Sequence, residues 1–245
     1  LTVTAFTQKK DLVNNKAATH GISVMTMDDL RWHRWLSTSE YYLAPVLDIM
    51  ADKAKAMGKN PADLRISMAF ENDGFSLDVR AGVVEKAKEY GMKIVIDDKL
   101  PADLSDMSAT LTKTKALKPD ILLVSGHSKG AATAARQIEE MKIDVPLIAY
   151  THCEAAKVQE KFPKSAQGVM CPTQWLSNLP KKDDYFGDAA TWNADFKKAY
   201  PEYKVVPYQT AQASAAVLVF KDAFERANSF DRDKVRDALA ATDME

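Results

Sequence analysis

The sequence predicts an α/β fold of parallel strands covered by helices, and three observations carry that expectation. Short apolar runs recur at residues 2–6, 22–26, 64–70, 93–97, 120–125, 146–150 and 168–171. Several of the segments between them carry helical periodicity, and glycine or proline marks many of the changes. Strands alternating with helices form βαβ units, whose sheets are parallel and buried on both faces.

The first two runs, "LTVTAF" and "ISVMT", read as core strands. Over residues 75–90, Leu77, Val84, Ala87 and Tyr90 share one helical face while Lys86, Lys88 and Glu89 point elsewhere, and Gly91 supplies the stop. The helix expected over 103–117 opens on an acidic turn at Asp103 and Asp106 and ends before Lys118-Pro119. A helix over 129–141 follows the strand 120–125 at once. Beyond about residue 185 the rhythm changes to three helices, broken at Pro201, Pro207 and Ser229 to Asp231, with no obvious strand between them. The middle one carries an apolar stripe through Ala211, Ala215, Leu218, Val219, Phe220 and Phe224, which reads as a face packed on a sheet.

A chain of 245 residues, 46% hydrophobic and 27% charged, is long enough for a sizeable core or two small lobes. Its formal net charge of -1 offers no basic footprint for nucleic acid. No apolar run approaches the ~20 residues of a membrane span, and no signal peptide or lipid motif opens the sequence. Because chains seldom begin in mid-sheet, an N-terminal part, with any export signal, is expected to precede Leu1.

Cys153 and Cys171 each fall at or just after the end of an expected strand, where parallel strands bring such ends together. That placement suits either a disulfide in an oxidising compartment or two partly buried thiols. The four histidines, His20, His33, His127 and His152, are scattered, and no metal-ligand spacing occurs.

One motif invites a catalytic reading. Gly126-His127-Ser128-Lys129-Gly130 spells Gly-x-Ser-x-Gly between a strand and a helix, where a hydrolase elbow would expose its nucleophile. The partners are missing: His152 alone lies downstream, too early for the base, and no His-Gly-Gly segment supplies a second oxyanion donor. The competing reading is that small residues let the backbone turn and approach something closely. Neither a dinucleotide fingerprint nor a phosphate loop is present, although a helix N-terminus near Ser128 and Lys129 can hold an anion.

Several stretches, taken in order, resemble a known family. They are "FENDGFS" before an amphipathic helix, "YGMKIVIDDKLP" followed by Asp-x-x-Asp-x-Ser, "LKPDILLV", "ARQIEEMKIDVPLIAY", "AQGVMCPTQW" and "ANSFDRDKVRDALAATD". Their succession is similar to the type I periplasmic solute-binding proteins of the branched-chain amino-acid (Leu/Ile/Val) ABC transporter family, over nearly the whole chain. The resemblance implies two doubly wound parallel-sheet lobes joined by a hinge, with further segments at both termini. Residues 1–36 with 204–245 correspond to an incomplete first lobe, and residues 37–203 to the second.

The same resemblance implies a non-enzymatic, periplasmic or lipid-anchored receptor. It would capture a small solute, an amino acid or an aromatic carboxylate, and present it to an ABC permease, without cofactor, metal or nucleic acid. Position by position, Thr7 and Gln8 stand where members often have paired serines. Thr26, Met27 and Asp28 replace a small-residue run that holds an amino acid's carboxylate and ammonium, and the acid there argues against the usual zwitterion. His127 stands at an aromatic wall position with Ser128 beside it; Trp175 matches another cleft aromatic; Phe75 and Tyr208 extend the wall. Trp175 reads equally as a core or surface aromatic, and His127 as a capping or a satisfied buried histidine. Trp32, Trp35, Tyr41 and Tyr42 read as hinge packing. Two rival readings are a cytoplasmic ligand-sensing regulator of the same fold and a serine hydrolase using Ser128.

Overall fold

The computed structural model describes residues 39–180 and 182–243. They divide into two compact units, one spanning Thr38–Pro207 and one containing Tyr208–Glu245. The expected strands 2–6 and 22–26, with Trp32 and Trp35, lie outside the described residues.

The larger unit is built on a four-stranded parallel sheet in the order β2-β1-β3-β4, formed by Arg65–Glu71 (β1), Lys93–Leu100 (β2), Ile121–Ser125 (β3) and Leu147–Tyr150 (β4). Strand alternation divides the core into two layers. Ile66, Met68 and Phe70 of β1, with Ile121 and Leu123 of β3, face helices α1 (Ala44–Ala56) and α2 (Gly74–Tyr90). Ala69, Leu122 and Val124 face α3 (Ser108–Leu117) and α4 (Ser128–Glu140). With both faces covered, β1 and β3 read as mostly apolar runs, and Ser67 inside β1 is accommodated by its hydrogen bond to Thr114.

Helix α1 starts with Pro45 in its first turn and buries Val46, Leu47, Met50, Ala51 and Ala54, the spacing of a single stripe. Helix α2 is capped by Asp73, whose carboxylate accepts the Ser76 N–H at 3.0 Å, and stops at Gly91 in the left-handed region. Helix α4 presents Gly130, Ala131, Ala134 and Ala135 to the sheet, and their small size permits close approach.

Three expectations need correction. The helix expected from 103 begins at Ser108, because side chains replace its first turn: the Met107 N–H donates to Gln137 Oε1 at 2.7 Å, and Gln137 Nε2 donates to Asp106 at 2.6 Å. The run 168–171 forms only a parallel bridge between Ala149 and Met170, since Pro172 has no N–H to continue a ladder and Cys171 is tied to Cys153. A short antiparallel ladder pairs Lys182–Asp183 (β5) with Gly187–Asp188 (β6), where the sequence shows no strand; Asp183 closes the turn by accepting the Tyr185 and Phe186 N–H groups. Two short helices, Ala156–Lys161 (α5) and Pro163–Ala166 (α6), precede that ladder, and Ala189–Ala199 (α7) follows it.

In the other unit, α8 (Tyr208–Ala227) packs on α9 (Arg232–Ala240) through Val219, Ala223, Val235 and Leu239. Among the described residues the stripe of α8 therefore meets a helix, and Ala215 is exposed. No helix among the described residues is long and apolar enough to cross a membrane.

Candidate functional site

The strand order places a topological switch point between β1 and β3, because the chain leaves β1 for β2 on one side and returns to β3 on the other. Open α/β sheets form a crevice at the carboxyl ends of such strands. The chemistry-bearing residues of this unit gather there: Glu71 and Asp73 after β1, Phe75 in the first turn of α2, Gly126, His127 and Ser128 after β3, and Thr151 and His152 after β4.

The β4 loop pins the β3 loop. The Thr151 hydroxyl donates to the Gly126 carbonyl at 2.7 Å and accepts the Gly126 N–H at 3.0 Å, while His152 Nδ1 lies 3.0 Å from the same carbonyl. A carbonyl only accepts, so His152 carries its proton on Nδ1 in that contact. Burial lowers the His152 pKa below its ordinary value, although the Gly126 carbonyl favours the charged form.

Three rings form a wall. Phe75 and His127 lie with centroids 5.6 Å apart, Phe75 and His152 5.7 Å, and His127 and His152 5.7 Å. Tyr42, which the sequence places in hinge packing, packs edge-on against Phe75 at 5.2 Å and so supports the wall. The His127 side chain is 58% exposed, and its Nε2 lies 3.7 Å from Asp73 Oδ2.

Beneath the wall sits a buried acid. Glu71 is 1% exposed and accepts the His127 N–H at 3.3 Å. Burial, reinforced by the adjacent Asp73 carboxyl, pushes its pKa up to about 7, against the pull of the His127 N–H. A Cβ at Gly126 or at Gly130 would stand 2.6 Å from Glu71 Oε1. The glycines of Gly-x-Ser-x-Gly therefore make room for a carboxyl and do not sharpen a nucleophile elbow.

Ser128 is the exposed first residue of α4, and the nearby histidine turns its Nδ1 to the Gly126 carbonyl. Trp175 lies apart from the wall: it is half-buried and packs edge-on against Trp192 of α7 at 5.1 Å. It is linked to the site through the chain, because the Cys153–Cys171 disulfide, with Cα atoms 5.6 Å apart, ties the His152 loop to the segment leading to Trp175. The cysteines are thus paired, the first of the two readings their placement allowed. Tyr208 opens α8 in the other unit. Thr7, Gln8, Thr26, Met27 and Asp28 lie outside the described residues.

Glu71, Asp73 and His152 did not stand out in the sequence. The available signal was an acid ending a mostly apolar strand in "AFEND".

A family model described as "Periplasmic binding protein" matches residues 33–245. Among solved structures, a leucine-binding protein of Thermotoga maritima superposes with a TM-score of 0.67 at 19% identity, covering 82% of this chain and 54% of that one. An ABC-transporter solute-binding protein of R. palustris in complex with benzoate gives a TM-score of 0.65 at 15% identity, covering 83% and 53%. A Leu/Ile/Val-binding protein homologue of Brucella abortus is 22% identical over 87 residues, which are 36% of this chain and 22% of that protein. The chain thus spans about half the length of the solved relatives and less of the curated one.

Proposed function

The chain belongs to the periplasmic binding protein family, whose members are solute-binding receptors and not enzymes, and on that premise we propose that it captures a small carboxylate-bearing solute for an ABC importer. The lobes, residues 37–203 and residues 1–36 with 204–245, close on an amino acid or a flat aromatic acid outside the cytoplasm, and an ABC permease receives it.

The observation that carries this reading is the ring wall of Phe75, His127 and His152 at the β1/β3 switch point. Ring faces suit an aromatic or apolar solute body. The first turn of α4, with the Ser128 hydroxyl, offers N–H groups and the positive end of the helix dipole to a carboxylate. Asp73, beside His127, offers a partner to an ammonium. On this reading Trp175 and Tyr208 add aromatic contacts beyond this wall, and Thr7, Gln8, Thr26, Met27 and Asp28 contribute from the first lobe. The likeness to a leucine-binding protein and to a benzoate complex supports both solute classes. The Cys153–Cys171 disulfide favours an oxidising, extracytoplasmic compartment over a cytoplasmic regulator.

Thermal-shift screening of the full-length, ligand-stripped protein tests the proposal. A solute that binds only the native state at 100 times its Kd stabilises by about 2.7 kcal/mol. A rise with amino acids or aromatic carboxylates is expected, and it falls in Phe75→Ala and His127→Ala. A folded protein that responds to neither class overturns the proposal.

A further inference from the structure

We propose that Glu71, Asp73 and His127 form a binding site for a divalent transition-metal ion of the Zn2+ type. One ligand atom from each of the three residues lies within 4.8 Å of the other two. The donor set, one imidazole and two carboxylates, suits such an ion better than Mg2+ or Ca2+, which take oxygen donors. Three protein donors leave a coordination position open, and the His127 side, 58% exposed, gives an ion a path in.

The surroundings point the same way independently of the donor count. Among the described residues, neither Glu71 nor Asp73 has a lysine or arginine within ion-pair distance, and the imidazole 3.7 Å from Asp73 is that of His127, the third donor. A buried acid and a half-buried one thus face each other with the His127 imidazole beside them, and a divalent ion would add the charge that balances both carboxylates. The carboxylates are also held in place: Asp73 by the Ser76 N–H and hydroxyl, Glu71 by the His127 N–H. Such outer contacts orient the ligands of built metal sites. The other candidate cluster among the described residues, Cys153, Glu154 and Cys171, lacks free thiolates because its sulfurs are bonded to each other.

The test is calorimetric titration of the chelator-treated full chain with ZnCl2, without solute, so that its result is independent of the solute reading. One-to-one binding, weakened at least about tenfold in both Asp73→Asn and His127→Gln, is expected. Asparagine retains the capping acceptor and the His127 ring is exposed, so both variants should keep the parent melting temperature; if one does not fold, the other decides alone. Absence of saturable binding, or binding unchanged in the folded variants, overturns the proposal.

Discussion

The carboxyl of Glu71 occupies the space that a side chain at Gly126 would need: a Cβ there would lie 2.6 Å from Oε1 and 2.8 Å from Cδ. Both atoms belong to a buried side chain held by the His127 N–H, so neither is free to swing away. Gly126→Ala is therefore expected to destabilise by about 1–3 kcal/mol, the range of overpacked cores. In Glu71→Ala the clash is gone, and the same substitution at 126 becomes nearly neutral. A double-mutant cycle by chemical denaturation measures the coupling, and additive effects would refute the arrangement.

The same acid makes stability depend on pH. Its ordinary pKa of 4.5 rises to about 7 in the folded protein, so between these values the native state keeps a proton that the unfolded state has lost. The unfolded state then binds fewer protons, and stability falls as pH rises through this window, reaching its full cost above pH 7. The shift corresponds to about 3 kcal/mol, an order-of-magnitude figure. Glu71→Gln, measured with chelator present, is expected to melt higher than the parent at pH 8 and to lose most of the slope between pH 5 and 8. An unchanged slope would place the titration elsewhere.

The sheet was legible because β1 and β3 are buried on both faces and so appear as mostly apolar runs, interrupted inside β1 by Ser67, whose hydroxyl is hydrogen-bonded to Thr114. The functional corner was less so. Glu71 sits where a strand normally emerges into water, and only the return of β3 beside β1 brings Gly126 and His127 over it, 55 and 56 residues later along the chain. Pattern along one strand carries no record of which strand lies next to it. The run at 168–171 misled for a local reason: its apolar composition fits a strand, while Pro172 and the Cys171 tether stop the ladder after one bridge. Trp175 was legible as a prominent aromatic, but its partner Trp192 stands on a helix reached only after a hairpin turn.

Tyr150 gives a prediction of opposite sign. The residue is fully buried at the end of β4, and among the described residues its hydroxyl finds no hydrogen-bond partner. Burial pushes its pKa up to about 12, so it stays neutral. An unpaired buried hydroxyl costs about 1–3 kcal/mol of desolvation, whereas the ring alone retains its packing. Tyr150→Phe is therefore expected to match or exceed the parent melting temperature in differential scanning calorimetry. A clear loss would reveal a bond that this hydroxyl makes.

The disulfide is the remaining support of the site, and its contribution can be separated from that of the core. Cys153 and Cys171 close a loop of 18 residues, for which the chain-entropy account gives about 3 kcal/mol. The loop holds α5 and α6, and Val158 and Phe162 join it to the core on the face of the sheet covered by α3 and α4. Reduction, or Cys153→Ser with Cys171→Ser, is expected to lower the melting temperature by several degrees. Because His152 precedes one cysteine and Trp175 follows the other, amide exchange should quicken at both ends of the loop while β1 and β3 stay protected. Equal loss of protection throughout the sheet would mean that the bond stabilises the whole unit, and an unaltered melting temperature would mean that the bond contributes nothing.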